Sequence, residues 1–190
     1  MDKDISAFII SGGKSSRMGS DKASLVLKGT SFLERILVPL NALNIPTKIV
    51  SNHSEHKKFG VPIIEDIVPN VGPVGGITTA LNDSKTELNL ILSCDIPLIN
   101  EEFLIWFLKM HQNEYDATIV KVKDQIMPLI GIYKKSCKNI FLEKLKQQKL
   151  KLLSVIDELK VNYVKCPIHL EKFLQNINTK EEFNRIEHEM

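Results

Sequence analysis

Short apolar runs alternate with longer stretches of helical periodicity along these 190 residues. Ala7-Phe8-Ile9-Ile10 reads as a buried strand that runs straight into a loop rich in Gly and Ser. Phe32, Leu33, Ile36, Leu37 and Leu40 recur at helical spacing, and Ser31 with Glu34 forms a capping box ahead of them. Pro39 argues against a regular helix there. Residues 47–51 and 61–64 read as strands, and the Gly-rich segment 72–76 as a loop opening a helix through Ala80 and Leu81. Leu88–Ser93 is the clearest strand and ends at Cys94-Asp95. An amphipathic helix over 101–111 follows, then strands over 117–122 and 129–133 and a Lys-rich helix over 136–149. A turn or helix over 152–159, a strand over 161–165 and a terminal helix over 180–189 complete the pattern.

Strands alternating with helices predict βαβ units, a mostly parallel sheet and helices on both of its faces. Ligands in such sheets bind outside the carboxyl ends of the strands. Chemically useful residues stand at those ends: Gly12-Gly13 after the first strand, Asn52 after the second, Asp66 after the third and Asp95 after the next. Length favours one domain over residues 1–190, and no repeat or linker interrupts it.

Composition narrows the class. With 43% apolar residues and a net charge of +2, general disorder is excluded. The near balance of 25 Lys+Arg with 23 Asp+Glu argues against a dedicated duplex-DNA binder. Cys94, Cys137 and Cys166 are far apart and form no CxxC pair, so neither a disulfide framework nor a zinc site is expected. No apolar run approaches the ~20 residues of a membrane span. A cytoplasmic monomer without nucleic-acid or membrane partners is the expectation. The lysines between Lys134 and Lys151 lack aromatic interleaving and read as a solvated helix face. His53 and His56 read as an exposed loop, Cys94 as a buried small hydrophobe, and Trp106 with Phe103, Phe107 and Met110 as core.

Most chemical information lies in Ser11-Gly12-Gly13-Lys14-Ser15-Ser16-Arg17-Met18-Gly19-Ser20-Asp21-Lys22. Adjacent glycines let the backbone approach a ligand with its N–H groups, and Arg17 and Lys22 add two cations close by. That combination suits a triphosphate. It is neither a Walker A loop nor GxGxxG: from Gly13, the Walker Gly-Lys pair would fall on Met18-Gly19. Asp95 can serve as a Mg²⁺ carboxylate or as a turn residue before Pro97.

The run Gly12-Gly13, Arg17-Met18-Gly19, Asp21-Lys22 resembles the signature of MobA-like nucleoside-triphosphate transferases, and in particular the molybdenum cofactor guanylyltransferases. The likeness continues in the same order through Glu65-Asp66, Gly72-Pro73-Val74-Gly75-Gly76-Ile77, Cys94-Asp95-Ile96-Pro97 and Asn176-Ile177-Asn178-Thr179-Lys180-Glu181-Glu182. It implies a Rossmann-like three-layer α/β/α nucleotidyltransferase fold, the N-terminal half binding nucleotide and the C-terminal half the acceptor.

It further implies that GMP passes from GTP to molybdopterin or molybdenum-molybdopterin, with release of pyrophosphate. Arg17, Lys22 and Asp95 would be catalytic, with Asp95 holding Mg²⁺. Ile10, Ser11, Gly12, Gly13, Lys22, Asn52, Asp66 and Asp95 would contact the nucleotide, with Ser51 as the alternative to Asn52. The Gly-Gly pair matches the guanylyl type, where cytidylyl relatives usually read A-A-G. A cytidylyl or sugar-phosphate transferase is the alternative, and a non-catalytic nucleotide-binding regulator the alternative of another class. Cofactor-delivery or molybdoenzyme-maturation proteins are the protein partners implied. On the acceptor side, Met127 stands before Pro128 where the family often has His or Arg. Gln147-Gln148-Lys149-Leu150-Lys151 stands where a Gly-Arg is usual.

Overall fold

The computed structural model describes residues 4–12 and 22–189. Strand β1 (Ile5–Ile10) leads, beyond residue 21, to a small hairpin of β2 (Val26–Leu27) and β3 (Thr30–Ser31). Helix α1 (Phe32–Ala42), β4 (Thr47–Val50), β5 (Ile63–Ile64), α2 (Pro73–Asp83) and β6 (Leu88–Ser93) follow. The second half comprises α3 (Glu101–Lys109), β7 (Ala117–Val122), β8 (Gln125–Lys134), α4 (Lys138–Lys146), α5 (Leu152–Ile156), β9 (Val161–Lys165), α6 (Ile168–Glu171) and α7 (Lys180–Glu189).

Seven strands make one sheet in the order β5-β4-β1-β6-β8-β7-β9. β8 runs antiparallel to both of its neighbours, and the other pairings are parallel. Helices cover both faces because the central strands are apolar on both sides. Ala7, Ile9, Leu90 and Leu92 face α1 and α3, burying Leu33, Ile36, Phe103 and Phe107 with them. Phe8, Ile10 and Ile91 alternate to the other face, against Val74, Ile77 and Leu81 of α2 and Phe141 of α4. A third, smaller cluster joins Leu27 and Phe32 to Ile177 and Ile186, so α7 packs beside the β2–β3 hairpin.

The capping box at Ser31 and Glu34 forms as expected, the Ser31 amide donating to Glu34 Oε2 at 2.8 Å. Helix α1 runs through Pro39 despite the lost donor, because Pro39 itself is buried beside Ile36 and Leu40 on its apolar face. The expected strand at 129–133 extends over Gln125–Lys134. Its register against β7 jumps from Ile119↔Gly131 to Val120↔Met127, so Pro128 occupies a bulge where a missing N–H costs no ladder bond. The Lys-rich helix is shorter than expected, and its reading as a solvated face fails at Lys144. That residue is buried, its ammonium 2.5 Å from Glu158 Oε1. His56 likewise is buried rather than in an exposed loop, its ring beside those of His53 and Phe59. Cys94 is half-buried, while Cys137 and Cys166 are buried; burial raises the Cys137 thiol to about 12. Among the described residues no helix is long and apolar enough to cross a membrane.

Candidate active site

The carboxyl ends of β1, β4 and β5 open into a cleft of about 490 Å³, lined by Ile10, Ser11, Gly12, Asn52, Asp66 and Gly76 among others. β1 reaches this edge between its neighbours: the Ser11 amide donates to the Val50 carbonyl (2.9 Å) and the Cys94 amide to the Ile10 carbonyl (3.2 Å). Ser11 and Gly12 therefore lie at the mouth of the sheet.

Asn52 and Asp66 face one another there. Asn52 Nδ2 donates to Asp66 Oδ2 at 3.1 Å, and the Asp66 amide donates to Asn52 Oδ1 at 3.0 Å. Of the two candidates at the end of β4, Asn52 lines the cleft. Ser51 is buried, and its hydroxyl accepts from the His53 amide as a turn residue. Glu65 is exposed outside the cleft. Burial raises the Asp66 carboxyl above its ordinary value, with the Asn52 amide and the Thr79 hydroxyl pulling the other way.

Two glycines shape the opposite wall. Gly72 precedes α2 with φ +70°, a backbone conformation open to glycine at little cost. Pro73 then starts the helix, so Gly75 and Gly76 lie inside α2 rather than in the expected loop. A Cβ on Gly76 would lie 2.7 Å from Ile10 Cγ2, so this glycine lets α2 approach the tip of β1. Gly12 differs: among the described residues, a Cβ there would meet only Asp66 Oδ2, at an ordinary 3.6 Å. Packing against the described residues does not demand a glycine at 12; its missing side chain leaves room in the cleft.

Lys22 and the backbone of Asp95 both bond to one segment remote from them in sequence. Lys22 Nζ donates to Asn178 Oδ1 at 2.5 Å. The next residue back, Ile177, donates its amide to the Asp95 carbonyl at 2.9 Å. Asp95 Oδ1 is buried and has no hydrogen-bond partner among the described residues. A buried carboxylate oxygen left without a donor is suited to a cation, and Mg²⁺ needs only one or two protein carboxylates. Arg17 and Gly13, the remaining expected site residues, lie outside the described residues.

The sequence assigns Asn178 no role of its own, although its motif is visible there. Thr179 and Glu182 cap α7 reciprocally: Glu182 Oε2 accepts from the amides of Asn178 (2.7 Å) and Thr179 (3.0 Å). The Glu182 amide in turn donates to Thr179 Oγ1. A second cleft, of about 960 Å³, adjoins this segment and is lined by Lys123, Gln125, Met127, Asn176, Asn178 and Arg185 among others. Met127 is thus on its wall; Lys149 and Lys151 are exposed and are not.

A family model described as the MobA-like NTP transferase domain matches residues 7–161. The chain belongs to this family. It is 34% identical over 180 residues to a probable molybdenum cofactor guanylyltransferase from Flavobacterium johnsoniae, covering 95% of each chain. It is 36% identical to a protein of the same name from Clostridium perfringens, covering 94% of this chain and 93% of that one. The fold matches molybdopterin-guanine dinucleotide biosynthesis protein A from Archaeoglobus fulgidus with a TM-score of 0.81, at 24% identity over 96% and 97% of the two chains. It also matches 4-diphosphocytidyl-2C-methyl-D-erythritol synthase from Anaerococcus prevotii, with a TM-score of 0.71 at 15% identity over 98% of each. The family and the architecture implied by the glycine loop are therefore those observed, and the chain is a nucleotidyltransferase.

Proposed function

We propose that this chain transfers GMP from GTP to molybdopterin, or to molybdenum-molybdopterin, and releases pyrophosphate. The observation that carries the reading is the bridge from Lys22 through Asn178 and Ile177 to Asp95. It ties a cation to the backbone of Asp95, whose Oδ1 has no hydrogen-bond partner among the described residues, after the strand next to β1 in the sheet. Close relatives named for guanylyl transfer over nearly the whole chain support the choice of nucleotide and acceptor.

In this reading the terminal phosphate of molybdopterin attacks the α-phosphorus of GTP, and the bond to the β-phosphate oxygen breaks. No protein nucleophile is needed; positioning and charge stabilisation suffice. Asn52 and Asp66 hold the nucleoside end, while Gly12 and Gly13 let phosphate oxygens near the backbone. Lys22 and Arg17 stabilise the charge that grows on the departing pyrophosphate. Asp95 would hold Mg²⁺, which when bound would supply Lewis acidity to the phosphates. The second cleft, with Lys123, Met127 and Arg185 on its walls, receives the acceptor from the C-terminal half.

The test is pyrophosphate release with Mg²⁺, GTP or CTP, and molybdopterin. Release with GTP, dependent on acceptor and reduced roughly a hundredfold or more in Asp95→Asn, is expected. Because Asp95 Oδ1 has no hydrogen-bond partner among the described residues, this variant should melt no lower than wild type. Release with CTP instead would assign the chain to cytidylyl transfer.

A further inference from the structure

Asn178 lies at the meeting point of three elements, and its placement is fixed from every side. Ile177 before it is fully buried in the cluster with Leu27 and Phe32, and is tied by its amide to the Asp95 carbonyl. Its own amide is held by Glu182 of α7. Phe183 on the same helix stacks on Phe32, ring centroids 6.2 Å apart, which anchors α7 to the start of α1. All of these contacts use backbone or neighbouring side chains. The Asn178 carboxamide oxygen is left to accept from Lys22 across 156 positions of sequence.

We propose that Asn178 is a positioning residue for Lys22, setting where its ammonium meets the nucleotide phosphates. The inference rests on the reading of Lys22 as a phosphate-binding cation. A lysine carries its charge on a flexible stem with three N–H donors. A neutral amide oxygen can take one donor, fix the ammonium in space and leave two for phosphate oxygens. A carboxylate in the same place would compete with the phosphates for the charge; an amide does not. Asn178 also lines the second cleft, so the cation of the nucleotide site is held by a residue exposed to the other substrate. An acceptor group that draws on Asn178 would thereby change the hold on Lys22.

The test is a double-mutant cycle read by GTP binding in Mg²⁺, with no acceptor present. Asn178→Ala should weaken GTP roughly fivefold to tenfold in the wild-type background. In Lys22→Ala it should add less than about twofold, since the ammonium it positions is gone. Thermal melts should be unchanged, because the side chain is spared from the backbone contacts that hold the segment. Should Asn178→Ala melt lower, the isosteric Asn178→Asp replaces it. That variant keeps the shape, turns the contact into an ion pair and should weaken GTP more than Asn178→Ala. Full additivity with Lys22→Ala, or wild-type affinity in both Asn178 variants, would overturn the proposal. Failure of the wild-type protein to bind GTP at all would instead overturn the reading of the site on which it rests.

Discussion

Asp66 sits where fold and ligand make opposite demands. Its carboxylate is partly desolvated beside Asn52, and burial raises its proton affinity above that of an exposed aspartate. The folded protein therefore binds this proton more tightly than the unfolded chain does. The cost of the buried charge is fully felt above the folded value and is relieved as pH falls through it. Asp66→Asn keeps the shape and removes the charge. It should melt slightly higher than wild type at pH 7–8, by about 2 °C or less. The difference should shrink as pH falls into the carboxylate range. Melts recorded from pH 8 to pH 4 check both points, and a gap that does not change with pH would contradict the burial argument. The same variant should bind GTP less well, which would mark Asp66 as a residue whose local cost is kept for function. Asn52 is legible in the sequence as the residue after a strand, with Ser51 as its alternative if the register slips by one. Only the observed turn, with Ser51 buried under His53, separates them.

At the scale of elements, two glycines that look alike in sequence do different work. Gly76 is set by the approach of α2 to β1, where a Cβ would be forced to 2.7 Å from Ile10 Cγ2. Gly76→Ala must push the helix away or twist Ile10, and should cost roughly 1–3 kcal/mol of stability together with GTP affinity. Gly12→Ala meets no such wall among the described residues. It should melt like wild type yet bind GTP more weakly, because the added methyl takes space in the cleft. Chemical denaturation and GTP titration on both proteins separate the two roles. Helix capping was readable in advance because it is local: Ser31 and Glu34 are three positions apart. The bulge in β8 was not. Pro128 hid a strand that begins at Gln125, because a proline is compatible with a strand only where the ladder is broken, and the break is set by the partner strand. Lys144 was misread for a similar reason: its burial depends on Glu158, which reaches it from beyond α5.

Across the whole molecule, the site is assembled from both ends of the chain. The apolar runs show the layers, since strands buried on both faces read as continuous hydrophobic segments. They also show where strands end, and hence where Asp66 and Asp95 emerge. They do not show that the segment before α7 returns to Lys22, because a contact such as Lys22 to Asn178 spans 156 residues and leaves no periodic trace. That closure predicts a global response to ligand. On the proposed reading, GTP held between residues at the ends of β1, β4 and β6 and the segment before α7 would bind only the assembled fold, and should stabilise it by about 2.7 kcal/mol at a hundred times its dissociation constant. For a chain of this length, each kcal/mol moves the midpoint by roughly 2–4 °C, so a rise of about 5–10 °C is expected. If Asp95 holds Mg²⁺ against the phosphates, chelation should remove most of that rise in wild type. In Asp95→Asn the rise should already be small, and chelation should change it little. A GTP-induced rise of equal size with and without Mg²⁺ would mean that the cations near β1 bind the nucleotide unaided, and that the unpartnered Asp95 oxygen serves some other contact.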